Sequence, residues 1–245
     1  MAPFESNRAH WPAEGTIFPV SEIDVRVAAE PHPFHLAERE QARENWRQEI
    51  AAKPDLFDGR MLLQRTIQIA GGRIAALAHI VPYSTFLWWR KTRGQGACHL
   101  FGMPMLMSSD GAMIAIRMGA HTANAGRVYS PGGSLEPEDI VDGRCDVARN
   151  IAREVQEETG IVLSDAIAEP GWHAIHLDST VTVFRVFRLP SAADEIVARV
   201  AAHIAADPYP EVEEAVAIRS QDRTAHNYPE FIPPILEWLF SRDGR

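Results

Sequence analysis

The segment from Arg153 to Ile161 constrains this chain of 245 residues more than any other part of it. It contains Glu154, Glu157 and Glu158, which on a helix share one face within about one turn. Like charges this close repel one another, so a stable helix that carries them indicates a bound cation. Hard divalent cations such as Mg²⁺ or Mn²⁺ prefer oxygen ligands and often bridge to substrate phosphates. The segment therefore predicts metal-assisted phosphate chemistry.

The residues around this segment define the ends of the helix and a turn before it. Asp146 is a suitable N-cap, and Gly160 is a suitable left-handed stop. Further upstream, Ser-Pro-Gly-Gly at 130–133 predicts a tight turn whose bare backbone suits a phosphate or offers a carbonyl to a metal. Arg153 is placed to reach Glu157 one turn later and to hold its carboxylate.

Together these residues resemble the signature of the Nudix hydrolase family. That signature is a Gly, a spaced Glu, and then Arg-Glu-aliphatic-any-Glu-Glu-any-Gly-aliphatic, and its second part is complete at 153–161. The family places the Gly fourteen residues and the first Glu eight residues before the Arg, where this chain has Asp139 and Cys145. An insertion at about 137–144 explains the departure. Glu136, Asp139 and Asp142 are then the alternative replacements for the missing Glu.

The resemblance implies an α+β fold. We expect a Nudix-type α/β/α sandwich with a mixed β-sheet at 98–245, preceded by an α/β extension at 1–97 that packs on it. The pattern of apolar residues predicts helices at about 34–52, 147–159, 191–205 and 229–240. It predicts strands at 60–70 and 73–81 around Gly71-Gly72, and further strands at 102–107, 113–118, 172–177, 180–189 and 212–218. Residues 1–35 read as an irregular or partly stranded arm.

The resemblance also implies roles for the residues of the signature. Glu154, Glu157 and Glu158 would bind Mg²⁺ or Mn²⁺, with Glu157 either a ligand or an orienting group. Gly132 and Gly133 would contact the substrate, and the carbonyl of Gly133 would add a metal ligand. Arg153 would hold a glutamate in place rather than contact the substrate.

Many Nudix enzymes take a further Glu from a loop after the signature, as a base or extra ligand. Glu211, Glu213 and Glu214 are the candidates in this chain, and Glu213 is our prediction among them. A solvated acidic turn is the alternative interpretation of these three residues.

The implied activity is hydrolysis of a diphosphate bond in a nucleoside diphosphate linked to another group. Trp46, Pro54, Leu-Phe-Asp-Gly at 56–59 and Tyr83 resemble the extension of members that hydrolyse UDP-sugars, so a UDP-sugar is the first substrate hypothesis. ADP-ribose and other nucleotide-sugars remain alternatives. A non-catalytic Nudix-fold module that binds a nucleotide is the competing class, although such modules usually lose signature glutamates.

The composition of the chain limits the kinds of binding partner and the compartment that we expect. A formal net charge of −9 argues against a general nucleic-acid binder, and no apolar run approaches the ~18 residues that span a bilayer. Two cysteines, Cys98 and Cys145, and an N-terminus without a signal-like apolar stretch predict a reduced, cytoplasmic protein. A homodimer stays open, since many Nudix proteins dimerise.

Aromatic and basic residues outside the signature have two interpretations each. Tyr129 suits stacking on a base or a place in the core. Arg90, Lys91 and Arg93 form a basic patch that suits either a phosphate or a solvated loop.

Overall fold

The computed structural model describes residues 11–242. Its helices, numbered in chain order, are α1 (Pro33–Ala52), α2 (Tyr83–Thr92), α3 (Val147–Thr159), α4 (Ala193–Ala206) and α5 (Ile232–Arg242). Its strands are β1 (Phe18–Val20), β2 (Glu22–Ala28), β3 (Arg60–Ala70), β4 (Arg73–Pro82), β5 (His99–Met107), β6 (Met113–Met118), β7 (Val128–Tyr129), β8 (Ile140–Val141), β9 (Arg144–Cys145), β10 (Ile167–Ala168), β11 (Trp172–Leu177), β12 (Thr180–Arg188) and β13 (Val212–Ile218).

The larger sheet is mixed and lies between two helical layers. Its strand order is β1-β11-β12-β5-β6-β13, with β10 beside β12 and β7 beside β6. Strands β5 and β12 run parallel, whereas β5 and β6 run antiparallel. On one face, Leu100 and Leu106 of β5 share a core with Ile151 of α3 and Val200 of α4. The alternate residues of β5 share the opposite core with α5. The predicted α+β fold with an α/β/α sandwich is confirmed.

The smaller sheet combines the N-terminal segment with residues from the middle of the chain. Its order is β3-β4-β2-β9-β8, and helices α1 and α2 pack against it through Phe34, Trp89 and Leu63. Strand β1 leaves this region and pairs with β11 of the larger sheet. Strand pairing therefore crosses the predicted boundary between residues 97 and 98 in both directions.

Most predicted elements lie within a few residues of the observed ones, and three differ. Residues 83–92, where the basic patch allowed a loop, form helix α2. Helix α4 begins at Ala193 rather than at about 191, and Asp110 Oδ1 accepts the Ala193 N–H at 2.9 Å. Helix α5 begins at Ile232 rather than at 229. Residues 1–10 of the predicted arm lie outside the described residues.

Two further observations concern the chemistry expected from composition. Cys98 and Cys145 are both buried. Among residues 11–242, no helix combines the length and apolar character needed to cross a membrane.

Helix α3 lies unusually close to the larger sheet because β5 has a glycine at the contact. A Cβ added to Gly102 would lie 2.7 Å from Ile151 Cδ1 and 2.9 Å from Val147 Cγ1. Real side-chain contacts do not occur at these distances, so only glycine permits this packing. The close contact fixes the height of α3 above the sheet and thereby the position of its opposite, acidic face.

Candidate active site

Helix α3 presents its glutamates because its ends and its apolar face are both fixed. Asp146 is the N-cap, and its Oδ1 accepts the Arg149 N–H at 3.0 Å. Gly160 ends the helix at φ 69°, the left-handed value that glycine adopts without strain. Ile151 and Val155 are buried against the sheet. The predicted caps are confirmed, and the acidic residues occupy the remaining faces of the helix.

The Gly-Gly turn lies directly against two of the three glutamates. The Gly132 N–H donates to Glu158 Oε2 at 2.8 Å. A Cβ added to Gly133 would lie 2.2 Å from Glu154 Oε2. The structure therefore brings Gly132, Gly133, Glu154 and Glu158 into one cluster, and a side chain at position 133 would displace the Glu154 carboxylate.

Both of these carboxyl groups are partly buried, and their pKa values are raised as a result. Burial raises the pKa of Glu154 to about 8, even though the neighbouring Arg153 lowers it. Burial and then the charge of Glu154 raise the pKa of Glu158 well above its usual range, opposed by the Gly132 N–H. Two partly buried carboxyl groups side by side are costly unless a cation lies between them or protons neutralise them.

Arg153 organises the acidic residues around it. Its Nη2 lies 2.8 Å from Glu154 Oε1, and its Nη1 donates to Glu157 Oε2 at 2.9 Å. Its Nε and Nη2 also donate to the two oxygens of Asp139, at 3.3 and 3.2 Å. Arg153 thus holds three carboxylates, including the predicted partner Glu157, whose side chain is 58% exposed at the edge of the cluster.

Asp139, one of the three alternatives for the missing Glu, contacts Arg153 directly. Its side chain is fully buried, and its Oδ2 also accepts Asn150 Nδ2 and the Glu136 N–H, both at 2.9 Å. Asp139 and Gly133 stand fourteen and twenty positions before Arg153, with the hairpin of β8 and β9 at 140–145 intervening. Without those six residues, the spacings become eight and fourteen, as in the family pattern. This hairpin overlaps the insertion expected at about 137–144.

The other two candidates for that place differ from Asp139. Asp142 is exposed in the turn of the hairpin, where it and Gly143 have φ values of 50° and 74°. Glu136 Oε2 lies 3.6 Å from Arg153 Nη2, and burial raises the pKa of Glu136 to about 7. Glu136 is thus an additional carboxyl group at the cluster. The Asp-Gly pair at 142–143 is a strong two-residue hairpin signal in the sequence and would have located the insertion.

The acidic residues after the signature are not equivalent. Glu211 and Glu213 are both exposed, and Glu214 pairs with Arg117 at 2.7 Å. Glu211, just before β13, is close enough to raise the pKa of Glu158. The structure therefore favours Glu211 over the predicted Glu213 as the neighbour of the cluster, although no sequence signal separates the two.

Comparisons with known proteins give similar folds but no close relative. No family model matches the chain, and no curated protein matches it. Three solved structures are similar: a MutT protein from Methanosarcina mazei Go1, an Ap4A hydrolase from C. elegans, and a Nudix hydrolase from M. smegmatis called RenU. In that order, their sequences are 18, 11 and 11% identical to this chain. The matches cover 60, 59 and 60% of this chain and 96, 98 and 85% of the three proteins' own lengths. Their TM-scores are 0.38, 0.42 and 0.38. Scores this low carry no argument about the chemistry of this chain, which rests on its own residues.

Proposed function

We propose that the chain is a divalent-metal-dependent hydrolase of the Nudix type that cleaves a diphosphate bond in a nucleoside diphosphate linked to another group. The observation that supports this is the partly buried pair of Glu154 and Glu158 against the Gly-Gly turn. Such a pair has no purpose in a solvated helix, because burying two carboxyl groups opposes folding. It suits a site that acquires positive charge from outside the chain.

The donors fit Mg²⁺ or Mn²⁺. Across the described part of the chain, no three His, Cys, Asp or Glu side chains form a ready-made metal cage. Mg²⁺ seldom uses such a cage, because it usually binds one or two carboxylates and completes its shell with water and substrate phosphates. Glu154, Glu158 and the carbonyl of Gly133 would supply the protein ligands. A bound cation of this kind neutralises the diphosphate and activates the attacking water.

The remaining residues of the cluster have positioning roles. Arg153 holds Glu154 from one side while it is itself anchored by the buried Asp139. The Gly132 N–H fixes Glu158, so both glutamates are oriented before a ligand arrives. Glu157 is exposed and bound to Arg153, which suits an orienting group. We infer that Glu211 supplies the further carboxylate beside Glu158.

The experiment that tests this proposal compares Glu158→Gln with the wild-type protein over a substrate panel. The panel holds UDP-sugars first, then ADP-ribose, other nucleotide-sugars, dinucleoside polyphosphates, NADH and coenzyme A, each with Mg²⁺ and with Mn²⁺. We expect release of a nucleoside monophosphate or phosphate by the wild type, and a loss of about a hundredfold or more in the variant. The melting temperature of the metal-free variant should equal or exceed that of the wild type, because a buried carboxyl group has been removed.

Two comparisons make this test specific. Glu195→Gln removes an exposed acid from α4 and should leave the activity unchanged. Glu211→Gln should lower turnover more than Glu213→Gln if Glu211 is the neighbour of Glu158. Full turnover in Glu158→Gln would refute the assignment, and tight nucleotide binding without any hydrolysis by the wild type would indicate a binding module instead.

A further inference from the structure

Helix α2 lies outside the acidic signature but is linked towards it through hydrogen bonds. Arg90 Nη1 on this helix donates to Asn124 Oδ1 at 3.0 Å. Asn124 Nδ2 in turn donates to the Tyr129 hydroxyl at 3.1 Å. Tyr129 lies three residues before Gly132, whose N–H binds Glu158. Two hydrogen bonds and the short segment from 129 to 132 therefore connect the guanidinium of Arg90 to the acidic cluster.

The charge of Arg90 has no counter-ion among the described residues. Its two hydrogen-bond acceptors, Asn124 Oδ1 and the carbonyl of Ala123 at 3.4 Å, are both neutral. Its guanidinium is partly buried and lies 5.8 Å from the centre of the Phe86 ring. A partly desolvated cation without an anion is unfavourable, so its position indicates that an anionic ligand completes its surroundings. Arg93, three residues later, instead lies over Trp89 and binds Thr180.

The groups around Arg90 lie near both the acidic cluster and each other. Burial raises the pKa of Tyr129, and the charge of Glu158 raises it further, with Tyr83 and Glu211 adding to the effect. Burial likewise raises the pKa of Tyr83, which Arg90 lowers and Glu211 raises. The Tyr83 hydroxyl makes no hydrogen bond with a residue in the described range. The Tyr83 hydroxyl and the guanidinium of Arg90, which has no counter-ion among the described residues, thus both act on the same group of residues as Glu158 and Glu211.

The loop at 119–127 that connects these groups is already ordered by other contacts. Lys53 Nζ donates to the carbonyl of Thr122, and the Gly119 N–H donates to the carbonyl of Glu211 at 2.7 Å. Thr122 Oγ1 also donates to the carbonyl of Gly119 at 2.9 Å. Because these bonds hold the loop at Gly119 and Thr122, the bonds from Arg90 are not the loop's only attachment, and they orient the guanidinium.

We propose that Arg90 binds a phosphate of the substrate's diphosphate, with Tyr83 beside it on the same wall, so that α2 contributes directly to recognition of a nucleoside diphosphate. This inference rests on the proposed function, since it takes the acidic cluster as the place where the diphosphate lies. The planar fork of arginine binds phosphate oxygens in pairs, and a lysine does not reproduce that geometry. Arg90 on α2 therefore supplies positive charge from the protein to the substrate, in addition to the charge of the metal ion.

The test uses the full chain and three variants. Arg90→Gln should lower kcat/KM for a hydrolysed diphosphate substrate roughly tenfold to a hundredfold, the range for losing one charge-assisted hydrogen bond. Arg90→Lys should give an intermediate loss, because it keeps the charge without the fork. Arg93→Gln, on the same helix, is the matched control and should equal the wild type. The dissociation constant for Mn²⁺ and the melting temperature should be unchanged in all three.

The contrary results are equally clear. A kcat/KM within twofold of wild type for Arg90→Gln overturns the inference, and so does a loss matched by weaker Mn²⁺ binding or a lower melting temperature. If Arg90→Gln does not fold, a wild-type kcat/KM for Arg90→Lys overturns it. If the wild type hydrolyses nothing, the proposed function fails on its own. In that case the proposed contact between Arg90 and a phosphate is tested by binding alone. It is overturned if Arg90→Gln binds ADP and UDP as tightly as the wild type.

Discussion

Gly133→Ala tests the close approach of the turn to Glu154. The new Cβ would lie 2.2 Å from Glu154 Oε2 and 2.5 Å from its Cδ, whereas ordinary contacts begin at 3.4 Å. The carboxylate must therefore withdraw by about 1.2 Å, the difference between 3.4 and 2.2 Å. A displacement near 1 Å in a catalytic arrangement costs about a hundredfold in rate. We expect kcat/KM to fall by about that factor.

Stability should hardly change in the same variant. The atoms that must move are the end of a flexible side chain, so the cost of overpacking should stay below about 1 kcal/mol. The assay combines Mg²⁺-dependent hydrolysis, a Mn²⁺ titration and urea unfolding. Gly59→Ala is the control, because its Cβ would lie 3.4 Å from the Phe57 ring, which is an ordinary contact. Wild-type hydrolysis and Mn²⁺ affinity in Gly133→Ala would show that Glu154 does not act from this position.

Two other perturbations concern the charges of the cluster. Asp139→Asn removes the fully buried carboxylate that anchors Arg153 and should destabilise the protein by about 3 kcal/mol in urea unfolding, whereas Asp142→Asn in the exposed turn should stay within about 0.5 kcal/mol. Equal effects of the two would contradict the role given to Asp139. The pKa of Glu154 is raised from 4.5 to about 8 in the folded metal-free protein, so the folded state keeps a proton that the unfolded chain has lost. The contribution of Glu154 to the free energy of unfolding is therefore full below pH 4.5 and is lost as the pH rises through about 8. The metal-free protein should therefore melt at a lower temperature at pH 8.5 than at pH 6. Glu154→Gln should reduce this decline in melting temperature, and Mg²⁺ should offset it. A decline that the substitution leaves unchanged would refute the assignment.

The sequence predicted the parts of the molecule that depend on local patterns. Helix α3 is specified by Asp146, Gly160 and a regular apolar face, and these signals act over a few residues. The Gly-Gly turn and the glutamates were also predicted to act together. Helix α2 was missed because its apolar residues face a core formed by α1, β3 and β4, which a single segment does not reveal.

The site residues that the sequence left undecided depend on long-range packing. Asp139 differs from Glu136 and Asp142 in being buried against Arg153, and burial is a property of the whole fold. Glu211 and Glu213 are two residues apart, and only the path of the chain into β13 decides which one is near Glu158. Arg90 belongs to the same class, since its neighbour Asn124 is 34 residues away.

The hairpin at 140–145 ties the signature to the N-terminal segment. Strand β9 pairs with β2, the Val27 N–H donates to the carbonyl of Gly143 at 2.9 Å, and Arg144 pairs with Asp24. Asp139 immediately precedes this hairpin, so the anchor of Arg153 is continuous with a strand whose partner comes from the start of the chain. A truncation that begins near residue 98 would strip β9 of its neighbour and leave an unprotected strand edge next to the glutamates. Shortened versions of this protein should therefore aggregate or lose the cluster's geometry even though every acidic residue is still present.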